Sequence, residues 1–186
     1  MCKIIAIVGP SGSGKDTLLN KICEQCDVHK IVGYTTRPIR ENEIDGVDYH
    51  FIHPLEFAKK VLDMEMLEAT SFNDWFYGTG RGCLDNNKVN IGIFNPAGLE
   101  MLQEYRDMQV RAYYLKVSDK ERLLRQLNRE EEPNVEEIVR RFLADKLDFE
   151  DFELNSDASY IEVKNNTPED FESILNRIIG DISVAR

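Results

Sequence analysis

The 186-residue chain (21.5 kDa) has 42% hydrophobic and 31% charged residues, the composition of one ordinary globular domain. Its net charge of −11 argues against general nucleic-acid binding, which depends on clustered lysine and arginine, and requires local positive groups for any anionic substrate. No apolar run approaches the ~20 residues of a membrane span and no signal-peptide core opens the chain, so the expected compartment is the cytoplasm.

Ile4 to Val8 reads as a core strand and Leu18 to Cys26 as a helix. Between them stands Gly9-Pro10-Ser11-Gly12-Ser13-Gly14-Lys15-Asp16-Thr17. Strand, glycine-rich loop and helix in that order is the context of a phosphate-binding loop. Glycines let backbone N–H groups curl round an anion, the helix start adds unpaired donors, and Lys15 supplies a mobile charge for the outer phosphates. The competing reading is a plain glycine-rich turn. Asp16 occupies the position where such loops carry a Ser or Thr that binds Mg2+. A carboxylate there either stabilises the helix start or serves as the Mg2+ ligand itself.

After Ile31-Val32-Gly33-Tyr34 comes a charged segment, Thr35 to Asp48, broken by Pro38 and Gly46. Tyr49 to Ile52 reads as a strand, and Pro54 opens an amphipathic helix with Leu55, Ala58, Val61 and Leu62 at helical spacing. Met66 to Thr70 and Trp75 to Tyr77 read as strands about a turn at Asn73-Asp74, with Gly78, Gly80 and Gly82 as a loose connection carrying Arg81. Val89 to Phe94 is a buried strand, Pro96 opens a helix to about Tyr105, and Val110 to Val117 is a strand. Ser118 caps a helix reaching about Asn128, with Glu121 three residues on. Arg129 to Asn134 interrupts it, and a second helix runs from Val135 towards Phe149. The acid-rich stretch Asp145 to Glu153 reads as a solvated face. Tyr160 to Val163 is a last strand, and Thr167-Pro168 starts a closing helix. The alternation implies an α/β domain with a mostly parallel sheet and helices on both faces. Cys23 and Cys26 have CxxC spacing with no second pair to complete a zinc site, and the three histidines show no ligand spacing.

Arg37 and Arg40, with a tyrosine nearby, can orient a second phosphate through forked hydrogen bonds; a charged surface loop is the alternative. Here the chain resembles guanylate kinase: Thr35-Thr36-Arg37, then Arg40, Glu43 and Gly46-Val47-Asp48-Tyr49-His50-Phe51. The resemblance continues at Glu68 and Tyr77-Gly78-Thr79, and more loosely through the arginines near 129 to 141. It implies a three-layer P-loop kinase fold with core segments 1–32, 89–128 and 135–186, an inserted GMP-binding region at about 33–88 and a lid at about 129–134. It further implies ATP on residues 9–17 with Mg2+, and the GMP phosphate on Arg37, Arg40, Tyr49 and Tyr77. Thr35, Glu43 and Gly78 belong to the same acceptor set, and Glu68 and Thr79 meet the guanine edge. A carboxylate accepts from guanine N1–H and its 2-amino group, a donor pair that adenine lacks. Core packing with surface-reaching hydroxyls is the alternative for Tyr49 and Tyr77.

Phosphoryl transfer asks for alignment and charge neutralisation more than acid–base chemistry. Lys15, Arg37 and the lid arginines Arg129 and Arg141 are the expected catalytic groups, with Arg125 and Arg140 next in line. Two departures stand out: Ile93 and Asn95 replace the two aspartates usual in the family near this strand end. Asn95 bears on base choice, and Asp16 compensates for the acid lost at Ile93. The expected partners are ATP and GMP or dGMP, without nucleic acid or membrane, in a monomer or homodimer. Two rivals remain: a ribose 1,5-bisphosphate kinase or altered-base nucleotide kinase on the same fold, and a non-catalytic guanylate-kinase-like binding module.

Overall fold

A computed structural model describes residues 2–40, 43–72, 74–129 and 131–185. The expected turn residue Asn73, loop residues Glu41 and Asn42, and Glu130 of the expected lid lie outside them.

The chain opens on strand β1 (Cys2–Val8), which leads through the glycine-rich loop into helix α1 (Lys15–Gln25). Two short strands follow, β2 (His29–Lys30) and β3 (Tyr34–Thr35). Next come β4 (His50–Phe51), α2 (Pro54–Leu62), β5 (Met66–Phe72) and β6 (Trp75–Gly80). The second half runs β7 (Val89–Phe94), α3 (Pro96–Gln103), β8 (Met108–Lys116), α4 (Asp119–Leu127), α5 (Val135–Asn155), β9 (Ile161–Lys164) and α6 (Pro168–Ala185).

Five strands form a parallel sheet in the order β2-β7-β1-β8-β9, with β1 paired to both β7 and β8 along its length. Because successive strand residues face opposite sides, β1 divides its apolar residues between two cores. Ile5 and Ile7 pack with Leu18, Leu19 and Ile22 of α1 and with Ile174, Leu175 and Ile178 of α6. Ile4, Ala6 and Val8 pack on the other face with Leu99 and Leu102 of α3 and Phe149 and Phe152 of α5. Helix, sheet and helix make three layers, as the alternation of elements predicts. β1 is buried on both sides, which is why its sequence is a continuous apolar run and not an alternating one. Its C-terminal end is thereby fixed, and the loop that follows inherits a rigid base.

A second sheet, ordered β4-β3-β6-β5, is mixed: β3 runs parallel to β4 and antiparallel to β6, and β5–β6 is a hairpin. Two expectations need correction here. Gly78 and Gly80 are strand residues of β6, and Arg81–Cys83 forms a 3-10 turn in place of a loose connection. At Gly78 an added Cβ would lie 2.7 Å from the Glu68 carbonyl oxygen, so close strand approach explains the glycine. Helix α2 forms where Pro54 predicts it, but it buries Phe57, while Leu55, Val61 and Leu62 are exposed. Phe57 stacks on Phe76 of β6 with ring centroids 5.5 Å apart, and that single aromatic pair sets the helix's inward face.

Candidate active site

Gly12 and Gly14 adopt left-handed backbone (φ 79° and 89°), the alternation that lets a loop turn its N–H groups towards one anion. Neither tolerates a side chain: a Cβ at Gly12 would sit 2.6 Å from the Arg122 carbonyl oxygen, and one at Gly14 would sit 2.9 Å from Asn165 Nδ2. Gly14 is the N-cap of α1, so Lys15 and Asp16 stand in its first turn. Lys15 Nζ donates to Pro10 O at 2.9 Å, and burial lowers the pKa of the ammonium. Asp16 is exposed, and its charge acts on Lys15 and on Tyr49, just before β4.

The second sheet carries the acceptor candidates. Thr35 on β3 is buried; its Oγ1 donates to Phe76 O at 3.0 Å and accepts from the Arg37 N–H at 3.1 Å. Arg37 is 5% exposed and forms a two-pronged pair with Glu43, Nη1 to Oε2 at 2.9 Å and Nη2 to Oε1 at 2.7 Å. Burial alone would lower its pKa; the Glu43 carboxylate outweighs that and raises it. Arg40 shares Glu43 through its backbone N–H at 2.9 Å. Its pKa is lowered by burial and then by the like charges of Arg37 and Arg141. Arg141 on α5 therefore faces the acceptor arginines. Tyr49 and Tyr77 meet edge to face at 6.0 Å, and the Arg37 guanidinium lies 5.9 Å from the Tyr49 ring centre. Burial, then the Asp16 charge, raises the Tyr49 pKa and keeps its hydroxyl a donor.

Glu68 is 6% exposed, paired across the hairpin with Thr79. Burial pushes its carboxyl up to about 7, against bonds from the Thr79 side chain and backbone that pull it down. Asn95 lies alongside: a Cβ at Gly98 would fall 2.9 Å from Glu68 Oε2 and 3.0 Å from Asn95 Oδ1. Asn95 is the N-cap of α3, its Oδ1 accepting from the Gly98 N–H at 2.8 Å and its Nδ2 donating to Thr70 Oγ1 at 2.6 Å. Ile93 is half-buried and packs its side chain against the α1–α6 core.

The lid arginines separate by position. Arg140 is bound to Glu137, Nε to Oε2 at 2.8 Å, and lines a cleft of about 630 Å³ with Ser71, Phe72, Asp74 and Phe76. Arg125 is turned towards the glycine-rich loop, with Nη1 reaching Gly12 O at 3.5 Å and Nη2 donating to Asn165 O, just past β9, at 2.8 Å. Arg129 is exposed just beyond α4, and no contact among the described residues brings it to the loop. Three further residues hold the glycine-rich loop and were missed by sequence reasoning: Arg122, Asp145 and Asn165. Asn165 Nδ2 donates to Ser13 O at 2.8 Å. Asp145, expected on a solvated face, is instead 3% exposed and paired with Arg122 at 3.2 Å. The missed signal is periodicity: Ile138, Asp145, Phe149 and Phe152 share the buried face of α5.

Among the described residues no three His, Cys, Asp or Glu side chains cluster to hold a metal unaided. An Mg2+ carried by a nucleotide keeps phosphates and waters and asks for one or two protein carboxylates, a requirement that Asp16 fits. Among the same residues no helix is long and apolar enough to cross a membrane.

The guanylate kinase family profile matches residues 1–181. A guanylate kinase of Frankia casuarinae is 33% identical over 165 residues, 83% of this chain and 89% of that one. A Campylobacter jejuni guanylate kinase is 24% identical over 183 residues, 95% of this chain and 88% of that one. Among solved structures, guanylate kinase from Anaplasma phagocytophilum superposes with a TM-score of 0.73 at 22% identity, covering 99% of this chain and 86% of that one.

Proposed function

The chain belongs to the guanylate kinase family and is an ATP-dependent GMP phosphotransferase, and on that premise we propose which residues do the work. The sugar-bisphosphate, altered-base and binding-module alternatives have no support in the comparisons. Residues 9–17 form the ATP-phosphate loop, in which Lys15 and the N–H groups about Gly12, Gly14 and the start of α1 meet the phosphates. Pro10 has no N–H, and the Ser11 and Ser13 N–H groups hold the loop's shape through Asp145 and Pro10 O. Arg37, Arg40, Tyr49 and Tyr77 hold the GMP phosphate, with Glu43 charging and orienting Arg37 and Thr35 setting the turn before it. Glu68 and Thr79 read the guanine edge, Gly78 lets β6 lie close against β5 beside them, and Asn95 acts through Thr70 and the α3 cap. Asp16 is the protein ligand of a nucleotide-borne Mg2+, which when bound neutralises phosphate charge. The segment at about 33–88 is the acceptor region and 129–134 the lid, carrying Arg129 towards the donor while Arg141 meets Arg40. Deoxy-GMP is accepted too, since Glu68 and Thr79 address the base and not the ribose. The setting is cytoplasmic, without nucleic acid or membrane, as a monomer or homodimer.

The GMP phosphate has a second pKa of ~6, so it is already an anionic nucleophile near neutral pH and no general base is assigned. The protein's task is to align two anions and spread charge on the group in transit. The observation that supports this reading is geometric: Arg37, held by Glu43 at 2.7 and 2.9 Å, stands 5.9 Å from the Tyr49 ring, which meets Tyr77 at 6.0 Å, while the donor loop carries the left-handed Gly12 and Gly14 ahead of Lys15. A coupled ADP-release assay with ATP and Mg2+ tests it against GMP, dGMP, AMP, dAMP, CMP, UMP, dTMP and ribose 1,5-bisphosphate. Turnover confined to GMP and dGMP is expected. Turnover of AMP or the sugar bisphosphate in preference to GMP overturns the assigned base and phosphate contacts.

A further inference from the structure

Three side chains grip three successive peptides of the donor loop from outside. Arg122 Nε donates to Ser11 O at 3.1 Å, Arg125 Nη1 reaches Gly12 O at 3.5 Å, and Asn165 Nδ2 donates to Ser13 O at 2.8 Å. Ser11 differs from the other two because a side chain from another element takes its N–H, Asp145 Oδ2 accepting it at 2.5 Å, whereas the Ser13 N–H donates within the loop to Pro10 O at 3.1 Å. The same carboxylate oxygen accepts from Arg122 Nη2 at 3.2 Å. One ion pair thus closes on both ends of the Ser11 residue, Arg122 coming from α4 and Asp145 from α5.

Both members are buried, and the Arg122 guanidinium also lies 4.7 Å from the Phe142 ring centre and 3.5 Å from Asp119. A buried ion pair is seldom a net source of stability, because its desolvation offsets its attraction, so its retention asks for another reason. Its charges reach the donor site as well: Asp145 and Arg122 act on Lys15 with opposite sign. Paired, they leave the phosphate site nearly neutral from that side; separated, Asp145 would confront the ATP phosphates with an uncompensated charge.

We propose that Arg122 and Asp145 are positioning residues for donor binding, fixing the Ser11 peptide so that ATP affinity depends on the packing of α4 against α5. The inference rests on the reading that the glycine-rich loop takes ATP. It predicts that donor affinity and fold stability respond separately to the pair.

The experiment is calorimetric titration of the full-length protein with ATP–Mg2+ and, separately, with GMP, alongside thermal melts. The double variant Arg122→Met/Asp145→Leu replaces the pair by apolar groups of similar size, an exchange that commonly preserves or raises stability. We expect its melting temperature to hold, its GMP affinity to stay as in the wild type, and its ATP affinity to fall by about tenfold or more, the size of a lost hydrogen bond to a charged group. Unchanged ATP affinity overturns the proposal, as does an equal fall for GMP. Should the double variant not melt cooperatively, Asp145→Asn takes its place: it is isosteric, and weakened ATP binding supports the proposal while wild-type binding overturns it. The wild-type titration separates the two readings, since failure of the wild type to bind ATP removes the donor-site assignment itself.

Discussion

Burial lifts the Glu68 carboxyl to about 7, so near neutrality the protonated and ionised forms coexist in the unliganded protein. Only the ionised form accepts from both guanine donors, so guanine affinity should fall as pH drops from 8 to 6. GMP blurs the measurement because its own phosphate titrates in this range, so the probe is guanosine. Titrated across those pH values, guanosine should bind more weakly at the acid end, and a flat profile would show that Glu68 does not read the base. The same carboxyl has a thermodynamic consequence of definite sign. A group whose pKa is higher folded than unfolded binds protons preferentially in the folded state, so stability declines as pH rises from about 4.5 to about 7 and is level beyond. The ionised form costs about 3 kcal/mol on that basis. Glu68→Gln should therefore melt higher than the wild type at pH 8, with the gain shrinking towards pH 5, while GMP turnover collapses. Thermal melts at the two pH values check the first part and the ADP-release assay the second. A variant that loses both stability and turnover would make Glu68 a packing residue.

At the scale of elements, helix α3 ties the base site to the fold, because its N-cap Asn95 also holds Thr70 of β5. Asn95→Ala should cost about 1 kcal/mol as a lost cap, read as a lower urea midpoint at unchanged slope. Asn95→Asp keeps the cap but sets a second carboxylate beside Glu68. The guanosine pH profile should then move to higher pH, since like charges favour protonation. An unmoved profile would mean that the two side chains do not sense each other. The α3 start was legible from Pro96, and the donor loop from its glycines and flanking strand, because in both the determining contacts are local. Local pattern also found the caps at Ser118 and Thr167, each of which accepts a backbone N–H three residues on; Asn134, read as part of the interruption, caps α5 in the same way. Contacts made by elements far apart in sequence were not legible. Asp145 lies within an acidic run and reads as solvated, yet its partners Arg122 and Ser11 are 23 and 134 residues away. Phe57 is likewise chosen as the buried face of α2 by Phe76, and spacing within the helix points instead to leucines that stay exposed. Asn95 was readable as a departure from the family, but its partners at Thr70 and Gly98 required the structure.

At the scale of the molecule, a chain of net charge −11 must gather two anionic nucleotides. Its answer is to concentrate arginines from separate elements: Arg37 and Arg40 follow β3, and Arg141 comes from α5, close enough to disfavour the charge on Arg40. Glu43 and Glu137 neutralise part of this cluster, and burial and neighbouring arginine charges contend over each of them, with the arginines lowering both pKa values. On the proposed assignment, a phosphate dianion placed between Arg40 and Arg141 would turn their repulsion into a shared attraction that favours α5 against the acceptor sheet. The consequence is non-additivity. Arg40→Ala and Arg141→Ala should each weaken GMP binding, but the double variant should lose less than the sum, with a coupling of about 0.5–3 kcal/mol. Calorimetric titration of GMP into the four proteins completes the cycle. Repeating it in higher salt should shrink each single effect, since the pair is only partly buried. Strictly additive losses would mean that the two arginines bind the nucleotide independently, and that α5 does not follow the acceptor phosphate.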